Sequence, residues 1–570
     1  MKNLLLLAAF VALLAGPLLL RPRDERPAKN EATLVIVTPH NEATRHEFGR
    51  AFGDFYFKKT GRRVAVDWRT PGGTSEISRF LAGQFASAFE NEWTRALHRP
   101  WNAAVQAAFD NPKSPADDSP AGRARRAFLD SDTGIGIDLF FGGGSFDFEQ
   151  QAAAGRLVDC GVVRAHPELF NDDAIPQSLG GEPFWDKEGR WIGTALSAFG
   201  ICYNVDSLAR LGISAAPEKW EDLADPRYFG QLALADPTQG SVATKAFEML
   251  IQQQMGLKER RYTLTRALVD KGIARSTGGQ SVPPPWTVSD QTGFTFRFNP
   301  DDAETSAASF EKTLNDLNWQ YALHIIQRIA GNARYFTDSG SKVPSDVELG
   351  DAAAGMTIDF YGRFQSEAVR RPDGSSRMRY GTPRGGSSIG VDPIGLLRGA
   401  PHPELAREFI EFVLSMEGQK LWNWKTGTPG GPEQYALRRL PIRRELYAPE
   451  FALLRSDPGE QPYEQAGAFV YHEEWTGALF RVIQFIVRAM CIDPHDELRE
   501  AWRALIAAGF PPEATKTFHD VSKVGYEAAS GRIRDTLRGP KIDQVKLAKE
   551  LSDSFREQYR RAAELARAGK

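Results

Sequence analysis

Ile137-Asp138-Leu139-Phe140-Phe141-Gly142-Gly143-Gly144-Ser145 reads as an apolar strand that stops at a glycine and serine loop, and Phe146 to Ala154 then reads as a short helix ended by Gly155. The same order of strand, loop and helix recurs three times. Val64 to Trp68 runs into Pro71-Gly72-Gly73-Thr74-Ser75, Leu232 to Leu234 into Asp236-Pro237-Thr238-Gln239-Gly240-Ser241, and Tyr335-Phe336 into Thr337-Asp338-Ser339-Gly340-Ser341. At such a junction the first helical turn carries N–H groups without an intrahelical acceptor and a partial positive charge. The four loops are therefore expected to aim donors at a phosphate, a carboxylate or another anion.

Working outward, Thr33 to Val37 is strand-like, Glu42 to Lys59 is helical by the spacing of Phe48, Phe52, Phe55 and Tyr56, and Val64 to Trp68 is a second strand, which is a βαβ opening and implies a parallel sheet. A chain of 570 residues exceeds what one core supports. The expected organisation is an α/β protein of two lobes: a first lobe over 31–160 with an insert at about 91–132, a second over 161–385, a return to the first over 386–440, and a helical C-terminal extension over 441–570. Gly193 to Val205 and Asp351 to Phe360 read as strands, the second ending in Asp359, Phe360 and Tyr361. Residues 276–303 read as a loop excursion, and Glu404 to Trp422 as one amphipathic helix.

At the N-terminus, Lys2 precedes an apolar run from Leu4 to Leu20 that meets Arg21 and Arg23, so residues 1–30 are expected to be a signal peptide or an anchor, the only contact with a membrane. No later stretch reads as long and apolar enough to span a bilayer, and an extracytoplasmic location follows. The 70 basic and 73 acidic side chains are interspersed, for a formal charge of −3, which disfavours nucleic acid as a partner. Three scattered cysteines fit neither a disulfide scaffold nor a zinc site, although a Cys160 to Cys202 bridge is compatible with export.

Catalytic signatures are sparse. Gly142-Gly143-Gly144-Ser145 lacks the lysine of a phosphate-binding P-loop, and Ser197, Ser241 and Ser339 lack the glycine-flanked elbow of a serine hydrolase. His40, Glu42 and His46 lie close together but match no metalloprotease spacing, and Tyr471 to Glu474 and Cys491 to His495 have no matching second cluster. Trp68, Trp191 and Trp319 are candidate stacking residues that serve a core equally well. His40 stands just beyond the first strand, where ligands of open α/β sheets gather. The binding set expected from these patterns is His40, Thr74, Ser75, Gly144, Ser145, Ser241, Ser339, Asp359 and Tyr361, with backbone N–H groups of Gly144, Ser145 and Ser241 and hydroxyls of Thr74, Ser75 and Ser339 as donors and Tyr361 as a cover. Two other readings stand beside binding: an anchored enzyme using His40 and Asp359 as acid and base, and a sensor or scaffold acting through an apolar face of the C-terminal helices.

At these loops, and at Gly390-Val391-Asp392-Pro393-Ile394-Gly395, the chain resembles the extracellular solute-binding proteins of ABC importers, in the branch that takes ferric iron, phosphorylated sugars, phosphonates, thiamine and polyamines. The resemblance covers about Thr33 to Pro441. It implies a type 2 periplasmic-binding fold, in which two hinged lobes close on a small molecule or ion, and partners that are separate permease and ATPase chains, with no resident cofactor. Iron-binding members use a histidine in the first loop, a glutamate after the second strand and two adjacent tyrosines. His40 and Tyr361 match two of these, Phe360 stands at the other tyrosine, and no carboxylate follows the second strand before Glu76. Ferric iron through His40 and Tyr361 is thus the weaker implication, and a phosphorylated or otherwise acidic small molecule the stronger.

Overall fold

The computed structural model describes residues 32–114, 117–270, 286–289, 295–298 and 307–570. The apolar leader at 4–20 lies outside the described residues. So does most of 276–303, within which Trp286–Ser289 pairs antiparallel with Thr295–Phe298.

Ala32–Val37 is parallel to Val64–Arg69 on one side and to Leu139–Phe141 on the other. The helix between the first two, Glu42–Thr60, is capped by Asn41, whose side chain accepts from the Thr44 N–H, and stops at Gly61 in the left-handed region. It buries Phe48 and Phe52 against Leu34, Ile36 and Phe141 in the core of the first lobe. The sheet then continues antiparallel through Gly390–Leu397, Ile192–Ser197 and Leu440–Pro441, and Leu157–Val158 makes it seven-stranded. A second sheet of five strands has the order Ala333–Thr337, Leu232–Ala235, Ala354–Ile358, Phe199–Asn204, Met378–Gly381, with the first three parallel.

Among the described residues the chain passes between the lobes three times. The strand-like run 193–205 is two strands in different sheets, Ile192–Ser197 and Phe199–Asn204, separated by Ala198 alone. The return runs from Gly381 to Gly390, and a third passage lies between Ala466, in the first core, and Phe469, in the second. Two lobes follow directly, because each sheet is covered by its own helices.

The C-terminal helices have no core of their own. Trp502, Phe518 and Tyr559 share one apolar cluster with Trp319, Ile326 and Leu250 of the second lobe. Buried polar contacts fix that seam: Trp319 Nε1 donates to the Val524 carbonyl at 2.9 Å and Trp502 Nε1 to Asn332 Oδ1 at 2.7 Å. Glu473–Ile492 is long and apolar enough to cross a membrane, contrary to the sequence expectation, yet it packs into this core through Val482, Ile483, Ile486 and Val487. In the insert, Phe109 and Phe128 pack on Phe89 of helix Thr74–Asn91.

The lobe bounds shift: Val162, Phe184, Trp191 and Leu196 pack in the first core, so the second lobe begins at about Phe199 rather than 161, and Ile442 and Tyr447 carry the return past 440. Three further expectations change. Strand Ala354–Ile358 stops earlier than its apolar run suggested, so Asp359, Phe360 and Tyr361 open helix Asp359–Ala368, where an acid suits the first turn. The segment 404–422 is two helices, Pro403–Leu414 and Met416–Asn423, because Ser415 caps the second through the Gly418 N–H. Cys160, Cys202 and Cys491 are all free and buried.

Candidate functional site

The parallel strands of both sheets end at the same gap. Past Val37, Arg69 and Phe141 in the first lobe, and past Ala235, Thr337 and Ile358 in the second, the chain turns into helices that begin around one cavity of about 530 Å³. All four glycine and hydroxyl loops line it, through Gly72 to Thr74, Gly143 to Ser145, Gln239 to Ser241 and Asp338 to Ser341. Neither Gly73 nor Gly144 offers a side chain to the first turn of the helix it caps, so those N–H groups have no cap within the loop.

Glycine is required where the loops meet. Gly142 and Gly143 have φ of 98° and 134°, and a Cβ on Gly142 would lie 2.7 Å from the His40 ring, one on Gly143 2.6 Å from the Thr74 methyl. The first and third strand ends are thereby packed so that His40 and Thr74 close one wall.

Of the residues expected from sequence, His40, Thr74, Gly144, Ser145, Ser241, Ser339 and Tyr361 line the cavity, and Ser75 and Asp359 do not. In the loop of Ser75 it is Thr74, next to Gly143, that reaches the cavity. Asp359 is fully buried; its N–H donates to the Ala198 carbonyl at 2.9 Å and its Oδ1 accepts from the Phe360 N–H. Burial pushes its carboxyl to about 6, against Arg363 and Arg439. It therefore supports the helix start and the hinge. His40 pairs instead with Asp392, at 2.8 Å, so the acid–base pair of His40 with Asp359 is not formed.

Asp392 accepts from the Gly143 N–H at 2.5 Å, from His40 and from Arg439. Burial works against its charge, but Arg439 and His40 hold its carboxyl below the usual range. Burial, and less so Arg439, lowers His40, which is neutral at ordinary pH. The Arg439 guanidinium lies 3.8 Å from the centre of the Phe360 ring, so a first-lobe cation rests on a second-lobe aromatic. On the opposite side Phe146 stacks on Phe480 at 4.7 Å. At the cavity floor Lys245 lies 3.0 Å from Glu182 and 3.1 Å from Glu248.

Arg439, Asp392, Lys245 and Glu182 were not singled out from sequence. Arg439 had one local signal, an arginine pair set between Leu437 and Leu440; Asp392 had its place in an otherwise apolar strand and in the Gly390 to Gly395 stretch that carries the resemblance. Glu42 and His46 are exposed and His46 meets Tyr435, so they form no cluster with His40. His472 stacks on Trp475, and His495 Nε2 contacts the Ala330 carbonyl. Among the described residues no group of three or more His, Cys, Asp or Glu is placed to hold a metal ion. Trp191 and Trp319 are core residues and Trp68 packs on Phe409.

Comparison with known proteins adds the following. The model of the family described as bacterial extracellular solute-binding protein matches residues 121–420. An uncharacterized protein of Haemophilus influenzae is 23% identical over 291 residues, which is 51% of this chain and 61% of that protein. The chain thus spans about three fifths of that relative's length. Among solved structures, the fructose-6-phosphate-bound periplasmic binding protein AfuA of Actinobacillus pleuropneumoniae is 16% identical with a TM-score of 0.40, covering 68% of this chain and 81% of that one. Iron-bound HitA of Pseudomonas aeruginosa is 16% identical with a TM-score of 0.41, covering 80% and 98%. The spermidine/putrescine protein PotD of Streptococcus pneumoniae is 13% identical with a TM-score of 0.42, covering 80% and 99%.

Proposed function

Because this chain belongs to the bacterial extracellular solute-binding protein family, we propose that it captures a small acidic solute between its lobes outside the cytoplasm and hands it to an ABC permease served by a separate ATPase. The observation that carries this reading is the meeting of helix starts from both sheets at one cavity. Donors from Gly144, Ser145 and Ser241, hydroxyls of Thr74 and Ser339 and the ring of Tyr361 come from different lobes, so a solute touching them favours the closed arrangement by differential affinity. About 530 Å³ suits an organic molecule rather than a bare ion.

Ferric iron is the weaker ligand here. His40 Nε2 is engaged by Asp392 and lies 2.8 Å from Arg439 Nη1, Phe360 contributes no phenolate, and burial raises Tyr361 so that its phenol keeps its proton. A guanidinium beside the same residues opposes a trivalent cation. Native mass spectrometry of protein purified without added ligand, with a thermal-shift screen of organic phosphates, carboxylates, polyamines and ferric salts, tests the reading. An acidic metabolite released on denaturation, or one that raises the melting temperature, is the expected outcome. Stabilisation by ferric iron or a polyamine alone contradicts it.

A further inference from the structure

We propose that Arg439, fixed by Asp392 and His40, sets the charge class of the ligand, so that the cavity admits an organic acid or phosphoester and rejects cations. The inference rests on the solute-binding reading above and concerns one residue outside the segment matched by the family.

The side chains lining the cavity include five carboxylates, Glu76, Asp147, Glu182, Asp338 and Asp392, and two permanent cations, Lys245 and Arg439. By count the wall is acidic, which would suit a cation. Most of that negative charge is already answered: Glu76 pairs with Arg79, Asp338 with Lys342, and Glu182 with Lys245 and the Ser388 hydroxyl. Burial raises Asp147 to about 6, which lessens its charge further. Lys245 is committed in turn to Glu182 and Glu248. Arg439 is the lining cation with donors left over.

Its geometry explains why. Asp392 is engaged on both oxygens by three donors, the Gly143 N–H on Oδ1 and His40 Nε2 and Arg439 Nη1 on Oδ2. Nε2 also lies 2.8 Å from Arg439 Nη1. Both nitrogens are satisfied together when each donates to Asp392, which places the imidazole proton on Nε2 and leaves Nδ1, buried without a partner, as a bare lone pair. A second proton there would be an unpaired buried donor next to a guanidinium. His40 is therefore a neutral prop, and Asp392 a positioning residue whose oxygens are occupied. Arg439 uses one of its nitrogens in this trio, while its Nε, buried, has no hydrogen-bond partner.

The backbone bringing Arg439 to the cavity is held as well. Glu47, fully buried, accepts from the N–H groups of Glu433, Gln434 and Tyr435 at 2.7 to 2.9 Å, and the Arg439 N–H donates to the Trp422 carbonyl. A guanidinium stacked on Phe360, tied to Asp392 through Nη1 and 3% exposed, has Nη2 and Nε left to meet a carboxylate or phosphate and little freedom to lose in doing so. Because Phe360 belongs to the other lobe, an anion on Arg439 sits where the two lobes touch.

Isothermal titration calorimetry of the purified protein with inorganic phosphate, glucose 6-phosphate, citrate and spermidine tests this on wild type, Arg439→Lys and Arg439→Gln, with Thr74→Val as a loop comparator. The wild type should bind an acidic probe. Arg439→Gln should weaken it about 30-fold or more and make spermidine binding stronger than in wild type; Arg439→Lys should lose about 5- to 20-fold, since it keeps charge but not the fork; Thr74→Val should lose about 3-fold. The reversal of preference from acid to polyamine is a readout that a loss of packing would not produce. If Arg439→Gln does not fold, the Arg439→Lys comparison and a crystal structure of the wild type with its acidic probe carry the test. The proposal is overturned by an acidic probe held within threefold of wild type by either arginine variant, or by a bound anion out of hydrogen-bond reach of Arg439. A wild type that takes spermidine and none of the acids overturns the solute class itself, which is a different failure.

Discussion

The lobes touch in two ways, and the contrast indicates which contact moves. At the floor, Lys245 of the second lobe lies between Glu182 of the first and Glu248 of its own helix, with carboxylate side chains only 3% and 1% exposed. Tyr471, just past the third passage between the lobes, covers the ammonium at 4.0 Å from its ring centre and donates to Glu248. Burial would lower Lys245, yet the two carboxylates hold it well above the usual lysine range. At the mouth, helix Asp359–Ala368 meets the stretch 438–460 through Arg363 with Glu460 at 3.0 Å and Arg438 with Glu367 at 2.8 Å, and there both acids are about one-third exposed. A carboxylate buried as Glu182 and Glu248 are is costly to strip of its cation, whereas Glu460 and Glu367 re-solvate more cheaply; the contrast lies in the acids, since Arg363 and Arg438 are 5% and 12% exposed and Lys245 20%. The expectation is therefore that the floor acts as a pivot and the mouth as a latch.

The largest effect should follow from breaking the pivot. Lys245→Met leaves Glu182 and Glu248 buried without their cation, and urea denaturation should show a loss of about 3–5 kcal/mol. A loss below about 1 kcal/mol would mean that the floor opens as easily as the mouth.

The next effect separates the latch by pH. Burial raises Asp359 to about 6 from an ordinary value of 3.8. Between those values the folded protein holds a proton that the unfolded chain has released, so this residue's contribution to stability falls as pH rises through the window and is least favourable above 6. Asp359→Asn should therefore be more stable than wild type at pH 7.5, by about 2 kcal/mol, with the gap closing as pH falls toward 4. A gap that is constant with pH would show that the charge is not the cause.

Much of the binding face was legible because it is written locally. Loops such as Gly142-Gly143-Gly144-Ser145 and Asp338-Ser339-Gly340-Ser341 declare a turn and a helix start within a few residues, and the βαβ order sends all such turns to one edge of a sheet. The pivot and the latch were not legible, since Lys245 meets Glu182 and Arg363 meets Glu460 across long sequence separations. Arg439 likewise finds Asp392 only once the strand at Leu440 joins the sheet beside Ile192–Ser197. The end of the strand at Ile358 was misplaced for a related reason: the run to Phe360 read as strand, but the Asp359 N–H donates to the Ala198 carbonyl of the crossing and its Oδ1 accepts from the Phe360 N–H, where helix Asp359–Ala368 begins. The C-terminal helices read as an addition because amphipathic periodicity shows that a face is apolar without showing what it covers.

Weaker changes refine the latch. Glu460→Gln leaves Arg363, 5% exposed, with Asp359 at 3.7 Å as its remaining anion, and should cost about 1 kcal/mol while increasing the radius of gyration measured by small-angle scattering of the ligand-free protein. Unchanged dimensions would assign Arg363 to the second lobe alone.

Glu367→Gln should do least. Glu367 is one-third exposed and Arg438 keeps a buried partner in Asp457, so the pair across the mouth should be worth about 0.5 kcal/mol at low salt. In 0.5 M sodium chloride, where screening acts within about one contact length beyond the pair, the difference between variant and wild type in chemical denaturation should vanish. The same salt should leave the Lys245→Met loss nearly intact, because the Glu182 and Glu248 side chains are only 3% and 1% exposed. If salt erased both differences alike, the floor would be wet, and the pivot would have to be sought instead at the covalent crossing through Ala198.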